Sequence, residues 1–121
     1  MTVNEWERCR PWIEAALAHD ASGRTIGDVR KAIETGSAIL LAGEKSAMVL
    51  DVLVTRTLNV WLAGGDLNEI RSADPQLVEA ARAFDCGQIT IMGRKGWGRA
   101  LRDLGYEVLV YKEIDDGEKA A

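Results

Sequence analysis

Two glycine-containing strings carry residue types able to hold a phosphate. The first is AGGDLNEI, residues 63–70, in which Gly64 and Gly65 permit the close backbone approach that N–H groups need in order to bind an oxyanion. Asp66 follows them directly, and its negative charge opposes a phosphate at that place. The second is GRKGWG, residues 93–98, with GxxGxG spacing and the cations Arg94 and Lys95 inside it. It has two readings. The glycines shape a tight strand-to-helix turn, or Arg94, Lys95 and the helix start form a site for an anion or an acidic partner. Trp97, beside that pair, is a further candidate contact for a ligand or partner, because buried aromatic anchors carry much of the energy of interfaces.

Acid–base chemistry is less well supported. His19, Asp51, Asp66 and Glu69 are the candidates for a general base, and no spacing singles one of them out. His19 follows the first helix in a polar stretch and reads as a solvated loop residue. Asp51 interrupts the apolar run VLDVL and is expected to face solvent at a sheet edge. Cys9 and Cys86 lie in apolar periodic segments without a neighbouring histidine, so they read as small hydrophobic residues and not as nucleophiles or disulfide partners. One histidine and two separated cysteines do not make a zinc site. No catalytic residue and no metal site is assigned.

These residues need elements to hold them. A chain of 121 residues, 47% of them hydrophobic, suffices for one domain with a single core, expected over residues 1–112. Residues 113–121 form an acidic tail, expected to fray. A net charge of −4 argues against a nucleic-acid or anionic-membrane partner. No apolar run reaches the roughly 18–20 residues that cross a bilayer, and the start lacks a secretory leader pattern, so a cytoplasmic protein is expected.

Trp6, Cys9, Ile13, Ala16 and Leu17 recur at helical spacing and predict an amphipathic helix, interrupted or reset near Pro11. Thr25 with Asp28 three residues on predicts a capped second helix over residues 26–34, stopping at Gly36. The runs AILLA, AMVLDVLV and LNVWLA, separated by GEKS and TRT, predict an antiparallel meander with helices on both faces. Asp74 and Pro75 start a crossover helix that ends at Gly87, and QITIM follows as a strand suited to parallel pairing with LNVWLA. A further helix carries Trp97, Ala100, Leu101 and Leu104, ends at Gly105, and precedes a final strand over residues 107–111. The fold class is thus α/β (α+β), a mixed sheet of about five strands flanked by about four helices.

This order resembles the GNAT acyltransferase superfamily without its usual first strand. The step Leu104-Gly105-Tyr106 at the end of GRKGWGRALRDLGY fits a pattern common in that family. WLAGGDL followed by MGRKGWGRALRDLGY looks more narrowly like the short GNAT-like proteins encoded in tailed-phage genomes, with similarity from about Trp6 to Val110. In a GNAT enzyme, an Arg/Gln-x-x-Gly-x-Gly/Ala loop after the fourth strand receives the pyrophosphate of acyl-coenzyme A. The matching position here is AGGDLNEI, which keeps Gly64 and Gly65 but lacks the basic or glutamine residue and inserts Asp66. The tyrosine that many members use as general acid, one helical turn before the glycine of the Leu-Gly-aromatic step, falls on Leu101, which has no proton to give.

The resemblance therefore implies a non-catalytic phage or prophage protein without a cofactor, a virion or assembly component in the host cytoplasm or on the particle. It would act through protein contacts, phage structural proteins among them, at Asp66, Arg94, Lys95 and Trp97, and a homo-oligomer is one expected form. The alternative is a divergent N-acyltransferase in which Gly64 and Gly65 cradle acetyl-coenzyme A. A further alternative is a small inhibitor or regulatory adaptor presenting the acidic tail.

Overall fold

The computed structural model describes residues 1–20, 22–91 and 96–107. Helices α1 (Val3–Leu17) and α2 (Ile26–Glu34) lead into strands β1 (Ile39–Ala42), β2 (Ser46–Leu53) and β3 (Thr57–Gly65). Helices α3 (Leu67–Ser72) and α4 (Asp74–Ala83) cross to β4 (Gln88–Ile91), after which come α5 (Trp97–Ala100) and a 3-10 turn over Arg102–Leu104. The strands form one sheet of order β1-β2-β3-β4, antiparallel as far as β3 and parallel between β3 and β4. The chain is a mixed α/β fold. Four strands stand among the described residues; the expected fifth lies outside them except for Glu107, as do Met92, the acidic tail, and Gly93, Arg94 and Lys95 of the second glycine string.

The first two helices begin with reciprocal caps. Asp28 N–H donates to Thr25 Oγ1 at 3.2 Å, while Thr25 N–H donates to the Asp28 carboxylate at 2.9 Å. The same arrangement of Thr2 and Glu5 starts α1 at Val3, ahead of its first buried apolar residue, Trp6. Pro11 does not interrupt α1, contrary to the sequence expectation. Pro11 and Glu7, whose carbonyl loses its helical donor, are both exposed, so water can take the place of the missing N–H.

β3 is buried from Thr57 to Gly64, and its side chains serve two cores. On one face Ala47, Val49, Trp61 and Leu62 pack with Trp6, Cys9, Ile13 and Ala16 of α1 and Val29 of α2. On the other, Met48, Leu50, Leu58, Val60 and Ala63 pack with Ile70 of α3 and Leu77 and Ala81 of α4. Strict alternation along β3 would set Trp61 and Leu62 on opposite faces. A β-bulge removes that conflict: Val49 pairs with Leu62 and Leu50 with Val60, which leaves Trp61 as the extra residue and turns both side chains toward α1.

β1 pairs with β2 only as far as Leu50, so Asp51, the next residue of β2, has a strand partner on the β3 side alone. Half-buried, it accepts a hydrogen bond from Asn59 Nδ2 at 3.0 Å, and Asn59 Oδ1 accepts one from Thr90 Oγ1 at 2.7 Å. A polar row across three strands thereby satisfies groups that an apolar sheet surface would leave unpaired.

Leu58 has 0% exposure at the centre of the second core, so Leu58→Ala is expected to cost about 2–5 kcal/mol, read from urea unfolding, with native secondary structure retained.

Candidate functional site

Among the described residues, the parallel ladder joins Thr57–Val60 of β3 to Gln88–Ile91 of β4, whereas β3 itself continues to Gly65. Past the end of that ladder lies a cleft of about 190 Å³ lined by Gly64, Gly65, Leu67, Ile70, Gly96, Trp97 and Ala100. The fold thus brings Gly64 and Gly65 of the first string to Gly96 and Trp97 of the second. The described side chains that line it, Leu67, Ile70, Trp97 and Ala100, are apolar or aromatic, and the volume falls below the roughly 300–1,000 Å³ of most small-molecule pockets, which suits the seating of a side chain. Leu67, Ile70 and Ala100 are lining residues that the sequence reading missed. Leu67 and Ile70 sit on α3, whose six residues are too few to show a helical period.

Each glycine has a packing reason to be glycine. A Cβ on Gly64 would fall far inside contact distance of the main-chain carbonyl of Trp12, because α1 crosses the end of β3 there. Gly65 has φ +106°, a conformation that side chains resist, and a Cβ on it would meet the backbone of Lys45 and Ser46. Asp66 is the N-cap of α3, accepting from Asn68 N–H at 2.8 Å, while its own N–H donates to the Lys45 carbonyl at 2.8 Å. The carboxylate occupies a helix-start donor that a bound anion would otherwise use.

Glu69 holds the β1–β2 hairpin against α3. Its carboxylate accepts from Lys45 N–H at 3.0 Å and from Ser46 Oγ at 2.5 Å. These bonds, that from Ser46 first, hold its pKa below the ordinary glutamate value of 4.5, which makes it a poor base as well as a good strut. Asp51 stands on the α1 face of the sheet, five residues of β3 away from Gly64 through its partner Asn59, or roughly 16 Å at about 3.3 Å per residue. His19 is exposed at the end of α1 and does not line the cleft. None of the four candidate bases is among the residues that line the cleft.

The far wall is anchored through charge. Arg71 at the end of α3 forms a two-pronged ion pair with Asp103, including Nη1 to Oδ1 at 2.9 Å, and also donates to the Ala100 carbonyl. Tyr106 Oη donates to Asp74 Oδ1 at 2.9 Å. Burial, with that acceptor and its charge, pushes the phenol pKa well above its ordinary value, so the hydroxyl keeps its proton and serves to tie the chain to the start of α4. Leu101, where the family resemblance places a tyrosine, is buried at 2% exposure. Trp97 is half-buried, packing on the second core while bordering the cleft. Arg94 and Lys95 lie outside the described residues.

Neither cysteine is bonded: Cys9 is buried in the first core, where desolvation raises its thiol pKa, and Cys86 is half-buried. Among the described residues, no group of three or more His, Cys, Asp or Glu side chains could hold a metal ion, and no helix is long and apolar enough to cross a membrane.

The sequence matches no protein-family model and no curated protein sequence. Its structure is similar to the crystal structure of TTHA1254 from Thermus thermophilus, with a TM-score of 0.58 over 95% of each chain at 18% sequence identity. At that identity the likeness shows a shared fold.

Two substitutions separate packing from binding. Gly64→Ala is expected to destabilise the chain by about 1–3 kcal/mol in urea unfolding with no ligand present, because the added methyl meets the Trp12 carbonyl. Glu69→Gln tests the strut through pH. Because the folded-state pKa lies below 4.5, the carboxylate contributes stability above that pH and loses it as pH falls through the folded value. The stability gap between wild type and Glu69→Gln should therefore be widest at neutral pH and close on acidification. A gap that is constant with pH would assign the effect to shape alone.

Proposed function

We propose that this chain is a non-catalytic protein of GNAT-like fold, encoded by a phage or prophage, that serves as a virion or assembly component through protein contacts at the rim of the cleft. The observation that carries the non-catalytic part is Asp66: its carboxylate caps α3 at the place where an acyltransferase loop would present free N–H groups to a diphosphate. Burying a diphosphate beside that charge would be strongly unfavourable. The two glycines that suggest a phosphate cradle are explained by α1 and the β1–β2 hairpin, and Leu101 supplies no proton. Phage origin is supported by the paired motifs WLAGGDL and MGRKGWGRALRDLGY. What remains at the cleft is a small apolar recess bordered by Trp97, suited to the side chain of a partner.

A second reading, a divergent acyl-coenzyme A-dependent N-acyltransferase, is favoured by the same cleft, since it opens beside Gly64 and Gly65, past the described part of the parallel ladder. Calorimetric titration with acetyl-coenzyme A and with free coenzyme A distinguishes the two. No binding is expected at ligand concentrations up to about 1 mM. Binding in the micromolar range, with acyl transfer to an amine, would overturn the non-catalytic reading. Mass spectrometry of purified phage particles tests the virion assignment.

A further inference from the structure

Residues 96–106 carry the far wall of the cleft, and among the described residues every backbone-to-backbone hydrogen bond they make is internal. Ala100 N–H donates to the Gly96 carbonyl, Leu101 to Trp97, Leu104 to Leu101 and Gly105 to Arg102. Among those residues no strand ladder ties the wall to the sheet. α5 has four residues and the 3-10 turn three, lengths at which a helix does not hold its own shape in water. Leu101 is the one buried side chain of the segment. Few buried apolar groups and a backbone without ladder bonds put a segment at the low-stability end of a structure.

What fastens the wall is polar and comes from the other side of the cleft. Arg71 directly follows Ile70, a lining residue of α3, and donates to the carbonyl of Ala100, a lining residue of α5. That bond runs from one wall to the other, so it sets how far apart they stand. The same guanidinium takes both carboxylate oxygens of Asp103, with Nη1 to Oδ1 at 2.9 Å. Of the described hydrogen bonds that join the wall to the body, one alone bypasses Arg71: that from Tyr106 Oη to Asp74 Oδ1, at the C-terminal end of the segment. Release of Arg71 leaves the wall attached there and free to turn about Gly105, whose backbone stands at φ +95°. The Asp103 side chain is 64% exposed, so water competes for its half of the clasp.

We propose that residues 97–104 are a hinged wall clasped by Arg71, which opens and widens the cleft while the sheet and α1 to α4 stay folded. The clasp then limits which side chains the cleft admits. The wall serves the partner site given under Proposed function, so its role rests on that reading, whereas its opening is measured on the chain alone and either can fail without the other.

The test is amide hydrogen exchange of the full chain, followed residue by residue at neutral pH from zero to about 2 M urea. The amides of Ala100, Leu101, Leu104 and Gly105 are expected to exchange through an opening that urea scarcely accelerates, while those of β3 follow global unfolding and its steeper urea dependence. Asp103→Ala, at an exposed position, should speed the wall amides about three- to tenfold and leave β3 unchanged. Arg71→Lys, which keeps the charge and loses the fork, should act in the same way. Glu14→Ala, which removes an exposed ion pair on α1, should alter neither set. Wall amides that share the urea dependence of β3 in wild type overturn the proposal, as does Asp103→Ala acting on both sets by one factor or on neither, or Glu14→Ala matching its effect on the wall. If a variant unfolds, the urea dependence in wild type decides.

Discussion

The contact between the Trp12 carbonyl and the backbone of Gly64 fixes how near α1 can lie to the sheet. A side chain at residue 64 would push the helix away by more than a close-packed core tolerates, and Trp6, Cys9 and Ile13 would lose their seats on Val49, Trp61 and Leu62. The bulge at Trp61 answers the same constraint from the other side. By adding one residue to β3 it presents two large side chains together beneath α1, and it restores alternation so that Ala63 returns to the α3 face. One strand can therefore serve two cores.

The end of β3 is held as firmly as its middle. Gly65 turns the chain through a left-handed conformation, Asp66 starts α3 and bonds to Lys45, and Glu69 reaches back to Lys45 and Ser46. Polar groups that could have met a ligand are thereby committed to the protein itself. Across the cleft, Arg71 with Asp103 and Tyr106 with Asp74 fasten the segment that carries Trp97 to α3 and α4. Among the described residues, the cleft is a gap between two braced walls lined by glycine backbone and by the side chains of Leu67, Ile70, Trp97 and Ala100.

Local patterns made much of the fold legible. The Thr25 and Asp28 cap and the turns at GEKS and TRT are each encoded within a few residues, because caps and turns are satisfied by near neighbours, and Pro75 sits in the first turn of α4, where its missing donor costs nothing. One local reading fell to context. Pro11 lies inside α1 because its ring and the carbonyl it deprives face water. Asp51 lies on β2 just past the end of β1 and accepts from Asn59, whose own oxygen accepts from Thr90. The short helix α3 left no period to read, and with it went Leu67 and Ile70 of the cleft.

By itself the sequence determined the mixed α/β character, the meander followed by a parallel crossover, and the pairing of a glycine motif with an acidic residue unsuited to phosphate. Hydrophobic period, capping and charge are properties of short stretches and survive without a fold. Only the tertiary structure decided why Gly64 and Gly65 must be glycine, where the carboxylates of Asp66 and Glu69 are spent, and that Trp97 borders the same recess as those glycines. Each of these depends on backbone groups from segments distant in the chain, whose approach is set by packing and leaves no mark on the residues beside them.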